Sequence, residues 1–299
     1  MARLEKEGFM FEGSGVALVT PFKNDKIDEE AFHRLIETQI EAGTKVLIPC
    51  GTTGESATLS HQEHDRVIEM TVKAAKGRAQ VLAGAGSNST SEAIRLTRHA
   101  QEAGVDGVLL ISPYYNKPTQ EGLYLHFKAI AEAADLPIVL YNVPGRTGVN
   151  MAPATVARLA QIKNIVGIKE ASGSLAQVSE ILEICPQDFV VLSGEDGLTF
   201  PMLAMGAKGA ISVTANVLPK LCAQMMEAVF QGDWERGRKL HFELAKMNRV
   251  LFIETNPIPV KTALALMKQM SGDLRLPLSP LSAASLQELQ KVMKEYQLI

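Results

Sequence analysis

Short, nearly continuous apolar runs recur along the chain, and each is followed by a stretch whose apolar residues repeat at helical spacing. The runs are Val16–Pro21, Lys45–Cys50, Gln80–Ala85, Gly107–Ser112, Pro137–Asn142, Ile165–Lys169, Phe189–Ser193 and Gly209–Val213. They are too short for helices and rich in Val, Ile and Leu, so they predict strands. Most starts lie roughly 25 to 35 residues apart, the length of one βα unit. The runs do not alternate strictly between apolar and polar, which is the pattern of a parallel sheet covered by helices. Ser60-His61-Gln62-Glu63 and Ser89-Thr90-Ser91-Glu92 have the spacing of a capping box. Gly43, Gly77 and Gly104 fall where helices should stop before the next strand. Eight such units predict a closed (β/α)8 barrel rather than an open doubly wound sheet. After about Val217 only helical patterns remain, over Leu221–Gln231, Trp234–Phe252, Val260–Met270 and Ser282–Tyr296. The chain therefore reads as an N-terminal extension (1–9), a barrel (10–232) and a C-terminal helical region (233–299).

Composition changes this picture little. The chain has 299 residues, 46% hydrophobic and 21% charged, ordinary values for a globular α/β protein. Its net charge of −3 is interspersed, which argues against nucleic acid or an anionic membrane as a partner. Cys50, Cys185 and Cys222 are odd in number and far apart, so reduced thiols fit better than a disulfide framework or a zinc ribbon. No uncharged apolar run reaches the ~18 residues of a membrane span, and the charged first residues lack the apolar core of a signal peptide. A cytoplasmic location is expected, in a bacterial cytosol rather than a plastid.

The chemistry is expected at the C-terminal ends of the barrel strands. The sixth run ends in Lys169, and a buried strand rarely tolerates a lone ammonium. Such a lysine is ion-paired, snorkelling, or kept as a neutral nucleophile that forms an imine with a carbonyl. Tyr141 lies one βα unit earlier, so it should stand beside Lys169 at similar height, either as a core tyrosine or as a proton shuttle. Glu170 should point to the opposite face of its strand and be a poor partner for Lys169. Gly51-Thr52-Thr53-Gly54-Glu55 follows the second run; it is a tight turn and cap, or a cradle of hydroxyls and N–H groups for a small carboxylate. Arg146 is a surface cation or a bidentate clamp for a second carboxylate. Glu195 and Asp196 end the seventh run and argue against a phosphorylated substrate there. His61 and His64 share one helix start without a third ligand, so no metal site is expected. Gly84-Ala85-Gly86-Ser87-Asn88-Ser89 lacks the third glycine of a dinucleotide turn.

Three motifs carry a family resemblance: Gly51-Thr52-Thr53-Gly54-Glu55, Tyr141-Asn142-Val143-Pro144 with Arg146-Thr147-Gly148, and Gly167-Ile168-Lys169-Glu170. From about Phe11 through the C-terminal helices, the chain resembles the dihydrodipicolinate synthase (4-hydroxy-tetrahydrodipicolinate synthase) family, within the N-acetylneuraminate lyase-like class I aldolases. The resemblance implies that Lys169 forms an imine with pyruvate, needing no other cofactor, and that the derived enamine attacks aspartate semialdehyde on the route to lysine and diaminopimelate. It implies a proton relay of Tyr141, Thr52 and Tyr115, with Tyr115 reaching in from a neighbouring subunit. Thr53 would hold the pyruvate carboxylate and Arg146 that of the semialdehyde, while Gly194 and Ile211 line the pocket through backbone atoms. Ser56, Ala57, Leu59, His61, His64, Asn88, Glu92 and Tyr114 match the family's inhibitory lysine site, and the family is commonly a homotetramer of tight dimers. The rival readings are a sister aldolase acting on N-acetylneuraminate or 2-keto-3-deoxy sugar acids and, in another class, a non-catalytic barrel that only binds. Arg146 with Thr52 and Thr53 speaks for the short, carboxylate-bearing substrate.

Overall fold

Almost every barrel-strand residue is buried, as expected of strands with the hydrophobic interior on one side and helices on the other. The computed structural model describes residues 10–299, so the expected extension 1–9 lies outside the described residues. The strands are β1 (Gly13–Ala17), β2 (Phe22–Lys23), β3 (Lys26–Ile27), β4 (Val46–Ile48), β5 (Gln80–Gly84), β6 (Gly107–Ile111), β7 (Ile138–Asn142), β8 (Ile165–Glu170), β9 (Val190–Ser193) and β10 (Gly209–Ser212). All but β2 and β3 close into a barrel of order β1-β10-β9-β8-β7-β6-β5-β4, and every pairing in it is parallel. The helices are α1 (Glu29–Glu41), α2 (His61–Ala75), α3 (Thr90–Ala103), α4 (Gln120–Ala133), α5 (Pro144–Thr147), α6 (Pro153–Leu159), α7 (Leu175–Ile184), α8 (Thr199–Met205), α9 (Pro219–Phe230), α10 (Trp234–Val250), α11 (Ile258–Leu266) and α12 (Ala283–Glu295). No described helix is long and apolar enough to cross a membrane.

The first strand departs from its apolar run. It occupies Gly13–Ala17 rather than Val16–Pro21. Gly15 makes this possible, because a Cβ there would stand 2.8 Å from the Ala210 carbonyl oxygen and 3.1 Å from Ile48 Cδ1. A glycine that lets β1 sit between β10 and β4 is also one that breaks the hydrophobic signal. The hairpin β2-β3 was invisible for a related reason: it turns on Asn24 and Asp25, both at positive φ, with only short strands beside them.

Three layers of core hold the barrel. Val46, Ile48, Leu82, Leu109, Val139 and Leu192 fill its interior, and Phe11 helps close the floor, within 2.6 Å of where a Cβ on Gly107 would stand. Leu47, Val81, Val108, Leu140 and Ile168 face outward onto the helices. A separate cluster joins Ala31 and Leu35 of α1 and Val213 and Val217 after β10 to Met247, Val260, Leu264, Leu289 and Met293. The C-terminal helices are therefore packed onto the barrel rim, each fully buried large side chain contributing roughly 1.5–3 kcal/mol.

Two imidazoles are buried in the helical layer. Burial lowers the pKa of His64 and of His126 to about 4. His126 Nδ1 shares a 2.9 Å hydrogen bond with Thr90 Oγ1. Because the unfolded chain protonates these groups first, stability falls as pH drops from 6.5 toward 4, by roughly 3 kcal/mol for one such group. Urea unfolding across this window should show a sloping midpoint, and His126→Gln should flatten it; an unchanged slope would show that His126 is not neutral when folded.

Candidate active site

Parallel pairing places Tyr141 of β7 directly beside Lys169 of β8. The Lys169 Nζ stands 4.2 Å from the centre of the Tyr141 ring, and the lysine is only 5% exposed. Among the described residues Lys169 has no ion-pair partner. Glu170 points away, as strand alternation requires. Its carboxylate accepts from Ser172 N at 2.7 Å, Asn142 Nδ2 at 3.0 Å and Gln177 Nε2 at 3.1 Å, so it is fully engaged on the helix side. The lysine stem has room because residue 194 is glycine: a Cβ there would lie 2.9 Å from Lys169 Cε and 2.7 Å from Ala171 Cβ.

Lys169 opens into a cavity of about 60 Å³ that is also lined by Thr52, Thr53, Tyr141, Arg146 and Gly194. Thr52 and Thr53 sit on the turn after β4, closed by Gly54 N donating to Gly51 O and Glu55 N to Thr52 O, each at 3.1 Å. A single turn of 3-10 helix, Ser56–Thr58, follows, and α2 starts only at His61. Thr53 Oγ1 accepts from Asn256 Nδ2 at 3.0 Å, and Arg146 Nη2 donates to Asn256 O at 3.1 Å. Asn256 thus links the threonine turn to the arginine on α5. Among the described residues its buried Oδ1 has no hydrogen-bond partner. Sequence reading missed it, because Asn-Pro before a helix reads as an ordinary turn.

The turn is anchored from below. Glu55, in the left-handed region at φ 52°, forms a buried ion pair with Lys261 of α11 at 2.5 Å; both side chains are 1% exposed or less. Its second oxygen accepts from Arg275 N at 3.2 Å. The Arg275 guanidinium in turn binds Glu63 at 2.5 and 2.8 Å, and this holds the Glu63 carboxyl down at about 2.

Not every expected residue enters this cavity. Tyr115 is 89% exposed, adopts φ 69°, and lines neither cavity described here. Ile211 is buried in the barrel-interior core with Tyr141, and Val213 lines the cavity nearby. A larger groove of about 470 Å³ adjoins it, sharing Thr52, Tyr141 and Arg146, and is lined by Ser56, Ala57, Leu59, His61, His64, Glu92 and Tyr114. Asn88 stands beside the groove and donates to Tyr114 O at 3.2 Å. The capping box expected at Ser60 forms, but the one at Ser89 does not. Glu92 instead accepts from Ser87 Oγ and shares a 2.9 Å hydrogen bond with His61 Nε2. The Ser87 and His61 hydrogen bonds hold the Glu92 carboxyl below its usual range, while burial pushes the Tyr114 hydroxyl up.

Comparison with known proteins shows the family and the fold. The model of the dihydrodipicolinate synthetase family matches residues 10–296. The chain belongs to that family. It is similar to the 4-hydroxy-tetrahydrodipicolinate synthase of Geotalea uraniireducens, at 59% identity over 97% of this chain and all of the relative. Among solved structures it is similar to a chloride-inhibited dihydrodipicolinate synthase from Acinetobacter baumannii complexed with pyruvate, at 44% identity and a TM-score of 0.95, covering 97% of this chain and 100% of the other. It is also similar to the dihydrodipicolinate synthase of Cyanidioschyzon merolae with lysine bound, at 42% identity and a TM-score of 0.93, covering 97% and 99%.

In this dihydrodipicolinate synthetase family member, Gly194 sets the path of the Lys169 side chain. Gly194→Ala should displace the amine by a few tenths of an ångström or more and cut trapping of a pyruvate imine by about a hundredfold, the scale of a 1 Å misplacement. Borohydride trapping alongside circular dichroism checks this; unchanged trapping in a folded variant would show that Gly194 does not govern the lysine.

Proposed function

We propose that this chain condenses pyruvate with L-aspartate 4-semialdehyde to give 4-hydroxy-tetrahydrodipicolinate, a lyase reaction of the class I aldolase type that leads to lysine and diaminopimelate. The observation that carries the reading is a buried lysine amine with no ion-pair partner among the described residues, set against a tyrosine in a cavity that also holds an arginine. The amine of Lys169 adds to the ketone carbon of pyruvate. The carbinolamine loses water to give the imine, and loss of a methyl proton gives the enamine. The enamine carbon attacks the aldehyde, and the amino group of the adduct then closes onto the imine carbon and releases the lysine. Tyr141 and Thr52 move protons in these steps, with Tyr115 completing the relay from a second copy of the chain. Its high exposure on its own subunit supports that assignment. Thr53 holds the pyruvate carboxylate and Arg146 that of the semialdehyde, while backbone atoms of Gly194 and Ile211 line the site. The assembly we favour is a homotetramer built from such dimers.

The groove beside the cavity supports a second role, feedback inhibition by lysine. Glu92 offers a carboxylate to a ligand ammonium, and Ser56, Ala57, Leu59, His61, His64, Asn88 and Tyr114 surround it or stand beside it. The groove and the cavity share Thr52, Tyr141 and Arg146, so a ligand in one alters the walls of the other.

Incubation with pyruvate and borohydride should leave a reduced adduct on Lys169, read by peptide mass spectrometry, and Lys169→Ala should abolish it. No adduct on Lys169 would defeat the mechanism, and faster turnover of sugar aldehydes than of the semialdehyde would favour the sister aldolases. Isothermal titration with lysine should give saturable binding that Glu92→Gln weakens. No heat at millimolar lysine would remove the inhibitory role.

A further inference from the structure

We propose that the buried carboxylate of Glu170, held behind the strand that carries Lys169, is the remote counter-ion of the imine on Lys169 and keeps that imine protonated. The inference rests on the imine proposed above. Lys169 pairs with Tyr141 and Glu170 with Asn142, so the two pairs are consecutive rungs of β8 and β7. The first rung faces the barrel interior and the second faces the helices. Glu170 is 1% exposed and, among the described residues, has no ion-pair partner. Its side-chain partners are N–H donors alone: Ser172 N, Asn142 Nδ2 and Gln177 Nε2. Neighbours fix the sense of both amides, because Asn142 Oδ1 accepts from Met151 N at 3.0 Å and Gln177 Oε1 from Asn150 Nδ2 at 2.8 Å. These partners suit a carboxylate anion and offer nothing to receive a carboxylic proton.

The hydrogen bonds satisfy the oxygens of Glu170 but do not balance its charge, and a buried anion without a counter-charge is costly. Its field crosses the sheet. Burial, then Asp196, push the cavity carboxyl of Glu195 up and Glu170 adds to the rise, while Lys169 and Arg146 pull it down. When the Lys169 amine replaces the ketone oxygen of pyruvate, water leaves, the nitrogen keeps one hydrogen and becomes a cation. That cation is the electron sink of the next step. The methyl group gives up a proton, its C–H pair forms the enamine double bond, and the imine π pair returns to nitrogen. A neutral imine lacks this sink. On the cavity side Lys169 shares its lining with Tyr141, the cation Arg146 and the carboxylate Glu195. Behind the strand, Asn142, Asn150, Ser172 and Gln177 surround Glu170 and are all neutral. Glu170 is therefore an anion fixed beside the reacting nitrogen by the same two strands that set the lysine and the tyrosine. It touches no reacting atom, so its part is that of a positioning residue acting through the field of its charge.

The competing explanation is that Glu170 merely anchors β8 to β7 and α7. Cyanoborohydride reduces the protonated imine and spares the neutral one, whereas borohydride reduces both. At saturating pyruvate, the ratio of the two trapping rates at Lys169, read by peptide mass spectrometry from about pH 7 to 10, follows the protonated share. Removing an anion destabilises a cation, so Glu170→Gln should lose the protonated share at lower pH than the unaltered chain. On the alkaline side its ratio should be about tenfold smaller, the effect of one unit charge on the opposite face of a buried strand. Glu170→Ala should follow Glu170→Gln. Glu170→Asp keeps the charge while disturbing the hydrogen bonds, and should follow the unaltered chain. Both reagents report only chains that carry the adduct, so a weakened fold lowers both signals and leaves their ratio unchanged. Ratios in Glu170→Gln and Glu170→Ala that coincide with the unaltered chain, or an equal shift in Glu170→Asp, overturn the inference. Absence of any adduct in the unaltered chain overturns the Lys169 reading and this inference together, whereas a normal adduct with coinciding ratios overturns this inference alone.

Discussion

The ion pair between Glu55 and Lys261 is the constraint on which the rim of the barrel depends. Both charges are withdrawn from water, so each is tolerable only while the other is present. Removing one partner of such a buried pair typically costs about 3–5 kcal/mol. The pair does more than hold helix α11 in place. Glu55 ends the turn that carries Thr52 and Thr53 and begins the stretch that lines the neighbouring groove. The ring of Phe22 packs 4.3 Å from the Lys261 ammonium and 4.3 Å from the Arg275 guanidinium, so the small β2-β3 hairpin is bound into the same knot.

Around this anchor the site is assembled from opposite ends of the chain. Asn256 ties the threonine turn to Arg146, and the strand pairing of β7 and β8 brings Tyr141 to the lysine. What the arrangement withholds from Lys169 is as important as what it supplies. Glu170 is drawn off by Asn142, Ser172 and Gln177, leaving the amine beside an aromatic face. Two cations, Lys169 and Arg146, and one carboxylate, Glu195, share a small lining.

Much of this was legible in the residues alone. The barrel showed because strands buried on both faces are continuous apolar runs, and the βα period put Tyr141 and Lys169 in register. The first strand was misplaced because its close packing needs glycine, which dilutes hydrophobicity. Glu92 was read as a helix cap, but its carboxylate turns to His61 and Ser87, a choice made by tertiary contacts. Asn256 and Lys261 escaped because their partners are some two hundred residues away, beyond any local pattern. One signal did exist: Lys261 is a lone charge in the apolar helix Ile258–Leu266, the same anomaly that singled out Lys169.

The order of synthesis gives the anchor a further meaning. Glu55 leaves the ribosome early, whereas Lys261 follows 206 residues later. Until then the carboxylate has no counter-charge and must stay hydrated, so the turn bearing Thr52 and Thr53 cannot settle into its buried position. Nor is Asn256 there to wall the cavity. The nascent barrel therefore displays its lysine on an unfinished rim, and the pocket closes only when the final helices dock. A chain cut short before α11 would carry Lys169 without the helix that anchors its rim.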